Sequence, residues 1–138
     1  MKNPTIVSAI MCEDIRQETS GKFSLAGVLG SGLDIAALPG NAAIGLYAEV
    51  RFPELGPVES QFRIVDSSDN ELVKGTLKLN VPNLDVAPLI LGPFQLRIVR
   101  DGEVKVQWKA ADADWMTVKS LMIRHNPRRA PAVRANPT

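Results

Sequence analysis

Three carboxylates within six residues, Glu13, Asp14 and Glu18, form an acidic group near the start of this chain of 138 residues, with Arg16 among them and Lys22 just beyond. Oxygen donors this close together could ligate a hard cation such as Ca²⁺ or Mg²⁺. A carboxylate pair could also do acid–base work if burial split the two pKa values. The spacing lacks the alternating acids and central glycine of an EF-hand loop. The plainer reading is a hairpin connection in which Arg16 bridges to Asp14 or Glu18 and the acids solvate the turn. Glu13, Asp14 and Glu18 are thus the metal candidates, and Arg16 and Lys22 are candidates for polar contact with a partner.

Cys12 and His125 are the only cysteine and histidine. A nucleophile–base pair needs both together, but Cys12 ends an apolar strand pattern and His125 stands beside Arg124 at the start of a polar tail. One Cys and one His do not make a zinc site either. Ser20-Gly21-Lys22 fails as a phosphate loop, because Arg16 holds the position of the upstream glycine and Phe23 that of the Ser or Thr after the lysine. Gly30-Ser31-Gly32 fails as a dinucleotide fingerprint, because Ile35 stands where a third small residue is needed. Asp112 and Asp114 are explained by turn formation. No catalytic residue and no cofactor are expected.

Alternation of apolar and polar residues is the dominant pattern along the chain. Val58, Ser60, Phe62 and Ile64 alternate with Glu59, Gln61 and Arg63; Val73, Gly75, Leu77 and Leu79 alternate with Lys74, Thr76 and Lys78. Phe94 to Lys109 reads as a hairpin turning at Asp101-Gly102. Eight strands are expected, near 5–13, 22–30, 43–52, 58–65, 71–79, 94–100, 103–109 and 115–124. The last is read as a strand with a bulge near Lys119-Ser120, although Trp115, Val118 and Met122 could also form a helical stripe. Short strands punctuated by ten glycines and ten prolines predict an all-β, antiparallel β-sandwich over residues 1–125.

Two stretches are expected as loops, Ser31 to Asn41 and Asn80 to Pro93. The second is greasy, with Leu84, Val86, Leu89, Ile90 and Leu91. It is read either as a plug over the open end of the sandwich or as an exposed patch that pairs subunits, with Leu89, Ile90 and Leu91 as contact residues. Residues 126–138 lose the alternation and are expected to be a disordered, basic tail.

The formal charge of +1 hides a division. Residues 1–123 hold 12 basic and 15 acidic residues, a net of −3, and the other four basic residues are Arg124, Arg128, Arg129 and Arg134. An acidic body argues against a nucleic-acid surface on the fold. The tail, lacking aromatic residues, would bind nucleic acid or another anion only weakly. A single cysteine precludes an internal disulfide and fits a reducing compartment. No apolar run has the length of a membrane span. Lys2 followed by Ile6 to Cys12 faintly suggests a lipoprotein signal, but the run is short and Met11 replaces the small residue expected before a modified cysteine. A first strand and a cytoplasmic location are expected.

Cys12 with the acidic pair after it, Ile15-Arg16-Gln17-Glu18, Gly21-Lys22 and Leu25-Ala26-Gly27-Val28 together resemble a family of small bacterial proteins of unknown function. The likeness extends to Leu38-Pro39 and to Trp115-x-Thr117-Val118-Lys119-x-Leu121. The resemblance implies an intracellular, bacterial, immunoglobulin-like sandwich, and it brings no activity, ligand or site residue. The expected function is that of a non-catalytic module acting by contact with an unidentified protein or with itself, as a homodimer. The alternatives are ion or small-molecule binding at Glu13, Asp14 and Glu18, and anion or nucleic-acid binding by the tail.

Overall fold

The computed structural model describes residues 2–30 and 32–127. Among these are nine strands: β1 (Thr5–Gln17), β2 (Phe23–Val28), β3 (Gly32–Ile35), β4 (Gly40–Arg51), β5 (Gly56–Val65), β6 (Glu71–Val81), β7 (Ala87–Ile98), β8 (Gly102–Ala110) and β9 (Met116–His125). They form a four-stranded sheet in the order β2-β1-β4-β7 and a five-stranded sheet in the order β3-β9-β8-β5-β6. Met11, Ile44, Leu46, Val50, Leu91 and Ile98 from the first sheet meet Val58, Phe62, Ile64, Val106, Trp108, Leu121 and Ile123 from the second in one apolar cluster. The all-β, two-layered expectation holds, and alternation explains it: each strand turns one parity of side chains inward.

Four expectations are corrected. There are nine strands rather than eight, because β3 lies inside the expected Ser31 to Asn41 loop. It also breaks the antiparallel rule, pairing parallel to β9 with Gly32 opposite Met122 and Ile35 opposite His125. Phe94 to Lys109 is no hairpin: β7 pairs with β4, while β8 pairs with β5 and β9. The Asp101-Gly102 turn therefore carries the chain from one sheet to the other. Gly102 has φ +104, but Asp101 is not among the positive-φ residues, so the turn lacks the two left-handed positions of a type I′ hairpin. Lastly, most of the expected Asn80 to Pro93 loop is strand. β6 runs on to Val81 and β7 begins at Ala87, with Pro88 and Pro93 tolerated because β7 is an edge strand.

Elsewhere local chemistry and structure agree. The last segment is a strand, and its register skips Val118 between the pairs Val106–Lys119 and Gln107–Thr117. In the β1–β2 connection, the Gly21 amide donates to the Glu18 carbonyl and the Glu18 amide to the Lys22 carbonyl, with Gly21 at φ +86. That is a three-residue loop closed by a left-handed glycine. Residues 128–138 of the tail lie outside the described residues; before them, the Asn126 amide donates to the Ile35 carbonyl at 2.8 Å.

Asp66 ties two connections together at one end of the molecule. Its carboxylate is buried, 4% exposed, and accepts from the backbone amides of Ser68 and Asn70 at 2.9 and 3.1 Å. It also meets Arg100 Nε at 3.2 Å. Arg100 reaches on to Ser68 Oγ, and Ser67 Oγ donates to the Asp101 carbonyl. The β5–β6 turn is thereby clamped to the crossing from β7 to β8.

Two polar atoms in the core lack a hydrogen-bond partner among the described residues, Ser60 Oγ and Trp108 Nε1. They sit on adjacent strands, since Ser60 pairs with Ala110 and Phe62 with Trp108. A buried hydroxyl with no partner costs stability, and trimming the side chain to a methyl by removing that hydroxyl removes the cost without opening a large hole. Ser60→Ala should raise the urea midpoint, a gain of up to about 1 kcal/mol; a clear fall would mean that the hydroxyl has a partner.

Candidate functional site between the open strand edges

The structure disperses the acidic group. β1 runs through Gln17, so Glu13 and Asp14 lie on a strand, not in a turn, and adjacent residues of a strand project to opposite faces. Asp14 Oδ2 takes Arg16 Nε at 2.8 Å in an exposed pair. Glu18 Oε1 accepts from Ser24 Oγ. The Glu13 side chain packs over Gly27 (φ +64), where an added Cβ would meet it at 2.9 Å. Glu13 instead lines a groove of about 360 Å³ with Asp34 and Asn41. Among the described residues no three His, Cys, Asp or Glu side chains gather into a metal-holding group. Lys22 closes the turn through its carbonyl.

Cys12 is fully buried and pairs with Val28 on one side and Gly45 on the other. Burial pushes its thiol pKa up, helped by the nearby Asp14 charge and opposed by a backbone hydrogen bond at Asp14. A shielded, protonated thiol is a poor nucleophile. His125 is exposed at the end of β9, opposite Ile35 of β3.

Leu89 and Leu91, expected at a contact surface, point into the core and are buried. Ile90 lies between them, half-buried and opposite Tyr47. The exposed apolar surface of this stretch is carried by Leu84 and Val86, 46% and 37% exposed, in the connection before β7. It borders a feature that sequence reasoning missed. β6 ends one sheet and β7 ends the other, and between them runs a groove of about 490 Å³. Leu77, Leu79 and Val81 of β6 form one wall, and Pro88, Leu89 and Ile90 of β7 the other. Phe52 also lines it, as does the 82–86 connection with Asn83 and Asp85. The size suits a ligand or an inserted side-chain row. Only the half-burial of Leu77 and Leu79, which their alternation does not reveal, marks the place.

A smaller groove of about 400 Å³ lies across the molecule's other open side, between Ile10, Met11 and Val28 and the Lys119–Ser120 pair. The outer face of the five-stranded sheet is different in kind. Arg63 donates to Gln107 Oε1 at 2.7 Å, meets Glu71 at 3.6 Å and lies 4.2 Å from the centre of the Trp115 ring. Gln107 passes the row on to Thr117. These groups are engaged with one another, so this face is braced rather than open.

No protein-family model and no curated protein matches this chain. Among the described residues no helix is long and apolar enough to cross a membrane.

Proposed function

We propose that this chain is a non-catalytic binding module of the bacterial cytoplasm, acting by protein–protein contact or self-association on the side where β6 and β7 lie open. One observation carries the reading: an apolar groove of about 490 Å³ between two strand edges that are unpaired among the described residues, bordered by the exposed Leu84 and Val86. Unpaired edges and contiguous apolar surface are the features by which strands recruit other chains. The dispersal of Glu13, Asp14 and Glu18 and the burial of Cys12 support a role without bond chemistry. The bacterial, intracellular setting is what the N-terminal resemblance implies. The immunoglobulin-like assignment also comes from that resemblance; two layered sheets are compatible with it, but the strand order differs from the ABED-on-CFG order of immunoglobulin constant domains.

The test is the double variant Leu84→Asp, Val86→Asp, whose sites are exposed and should leave folding unchanged. Sedimentation of the native chain over a wide concentration range, and capture of partners from its own lysate, should show an association that the variant loses while its melting temperature holds. A strictly monomeric native chain with the same captured proteins as the variant would contradict the reading.

A further inference from the structure

We infer that the occupant of the β6–β7 side is an extended segment of another protein, apolar at one parity and acidic at the other, added as a strand on β6. This rests on the reading of that side as the binding surface and adds the chemistry of the partner.

The backbone makes the first part of the case. β6 spans eleven residues and, among the described residues, is hydrogen-bonded to a neighbouring strand, β5, on one side alone. Along its other side the alternate amides and carbonyls have no strand partner among the described residues, which is a template for strand addition. A strand laid there continues the five-stranded sheet and closes the groove. Its side chains of one parity then drop in beside Leu77 and Leu79, which are only half-buried now. About five or six residues, a usual strand length, would cover the stretch.

Charge decides the other parity. Lys74, Thr76 and Lys78 pair with Arg63, Gln61 and Glu59 of β5, and these alternate with the inward-facing Phe62, Ser60 and Val58. The two lysines therefore stand on the outer face, where the side chains of an added strand would neighbour them. Lys74 has Glu71 at 3.9 Å, but Glu71 also serves Arg63. Lys78 has Glu59 across the strand on the β5 side, which leaves its open side unmatched. Acidic residues on the incoming strand complete this row. A second copy of β6 would instead line up four ammonium groups along one narrow strip, so the same lysines disfavour edge-to-edge self-pairing. Asp85, near the 82–86 end of the groove, repels acids there and confines them to the Lys74–Lys78 stretch.

Three fluorescein-labelled peptides of eight residues distinguish the outcomes: valine alternating with glutamate, with threonine, or with lysine. Fluorescence anisotropy with the full chain should show the glutamate peptide binding roughly tenfold or more tighter than the lysine peptide, with the preference weakened by salt. The double variant Lys74→Glu, Lys78→Glu should reverse the order. Equal binding of the glutamate and threonine peptides, or no reversal, would overturn the acidic assignment and leave the open side as a binding surface. If no peptide binds, strand addition itself is overturned, and the Leu84→Asp, Val86→Asp comparison then decides separately whether that side binds anything.

Discussion

Asp66→Ala should lower the unfolding free energy by about 3 kcal/mol at pH 7, among the largest losses from any single substitution in the chain. The buried carboxylate receives two backbone amides, and the Asn70 side chain stands at 3.4 Å. Removing it leaves those amides without acceptors and cuts the tie to Arg100. Arg100 is itself partly exposed, so its own charge finds water, and the loss comes chiefly from the amides.

The same group sets a pH dependence. Burial alone would raise the Asp66 pKa, but the amides of Ser68 and Asn70, the Asn70 side chain and the Arg100 charge outweigh it and hold the carboxyl below its usual value. A carboxyl with a depressed folded pKa stabilises fully above its unfolded value, about 3.9, and loses that contribution as pH falls through the folded value. Urea unfolding of the native chain and of Asp66→Ala should therefore differ by a constant amount from pH 7 to about pH 5, with the gap closing below about pH 4. A gap that stays constant down to pH 2.5, or widens, would refute the account of this clamp.

Gly75→Val should be comparably damaging. Gly75 faces Phe62 across the β5–β6 pair, and a Cβ there would stand 2.4 Å from Cε1 of the Phe62 ring. The ring cannot simply turn aside. It is 7% exposed and stacks on Phe94 of the opposite sheet, with centroids 5.5 Å apart. Either the ring leaves its slot or β6 moves off β5, and overpacking of this kind costs about 1–3 kcal/mol. Adding Phe62→Leu to the same chain should recover part of the loss, as a shorter side chain vacates the space. Strictly additive losses in the double variant would mean that the two sites do not touch. Gly75 lies on β6 two residues before Leu77 of the groove, so a shift of that strand in Gly75→Val should weaken peptide binding more than stability alone explains.

Much of this architecture is written in the alternation, and the rest is hidden for identifiable reasons. Val58 to Ile64 and Leu77 to Leu79 announce which side of each strand is buried, because burial on one face selects residue type at every second position. Alternation says nothing about which strand lies alongside which. A sheet-crossing turn and a hairpin turn therefore look alike at Asp101-Gly102. β3 is four residues long, too short for a period to show, and it is held by its parallel pairing with β9. The first half of β7 was obscured because Ile90 is apolar on the outer face, opposite Tyr47, whose ring packs 5.7 Å from that of Phe23. A continuous apolar run beside two prolines reads as a greasy loop. The acidic group shows the converse. Its residue types were plain, but convergence depends on whether β1 stops at 13 or continues to Gln17, and its continuation sends Glu13 and Asp14 apart. The groove between β6 and β7 had no local signature, since it arises where two sheet edges meet.

On the proposed reading, β6 and its neighbour across the groove, β7, form the surface on which this chain recognises others. An amide-resolved NMR titration of the isotope-labelled chain with the valine–glutamate peptide tests it most directly. Shifts should concentrate in Glu71–Val81, in the 82–86 connection and in the first half of β7. Shifts centred instead on Ile10 and Val28, on the Glu13–Lys22 region or on the Trp115 face would contradict it.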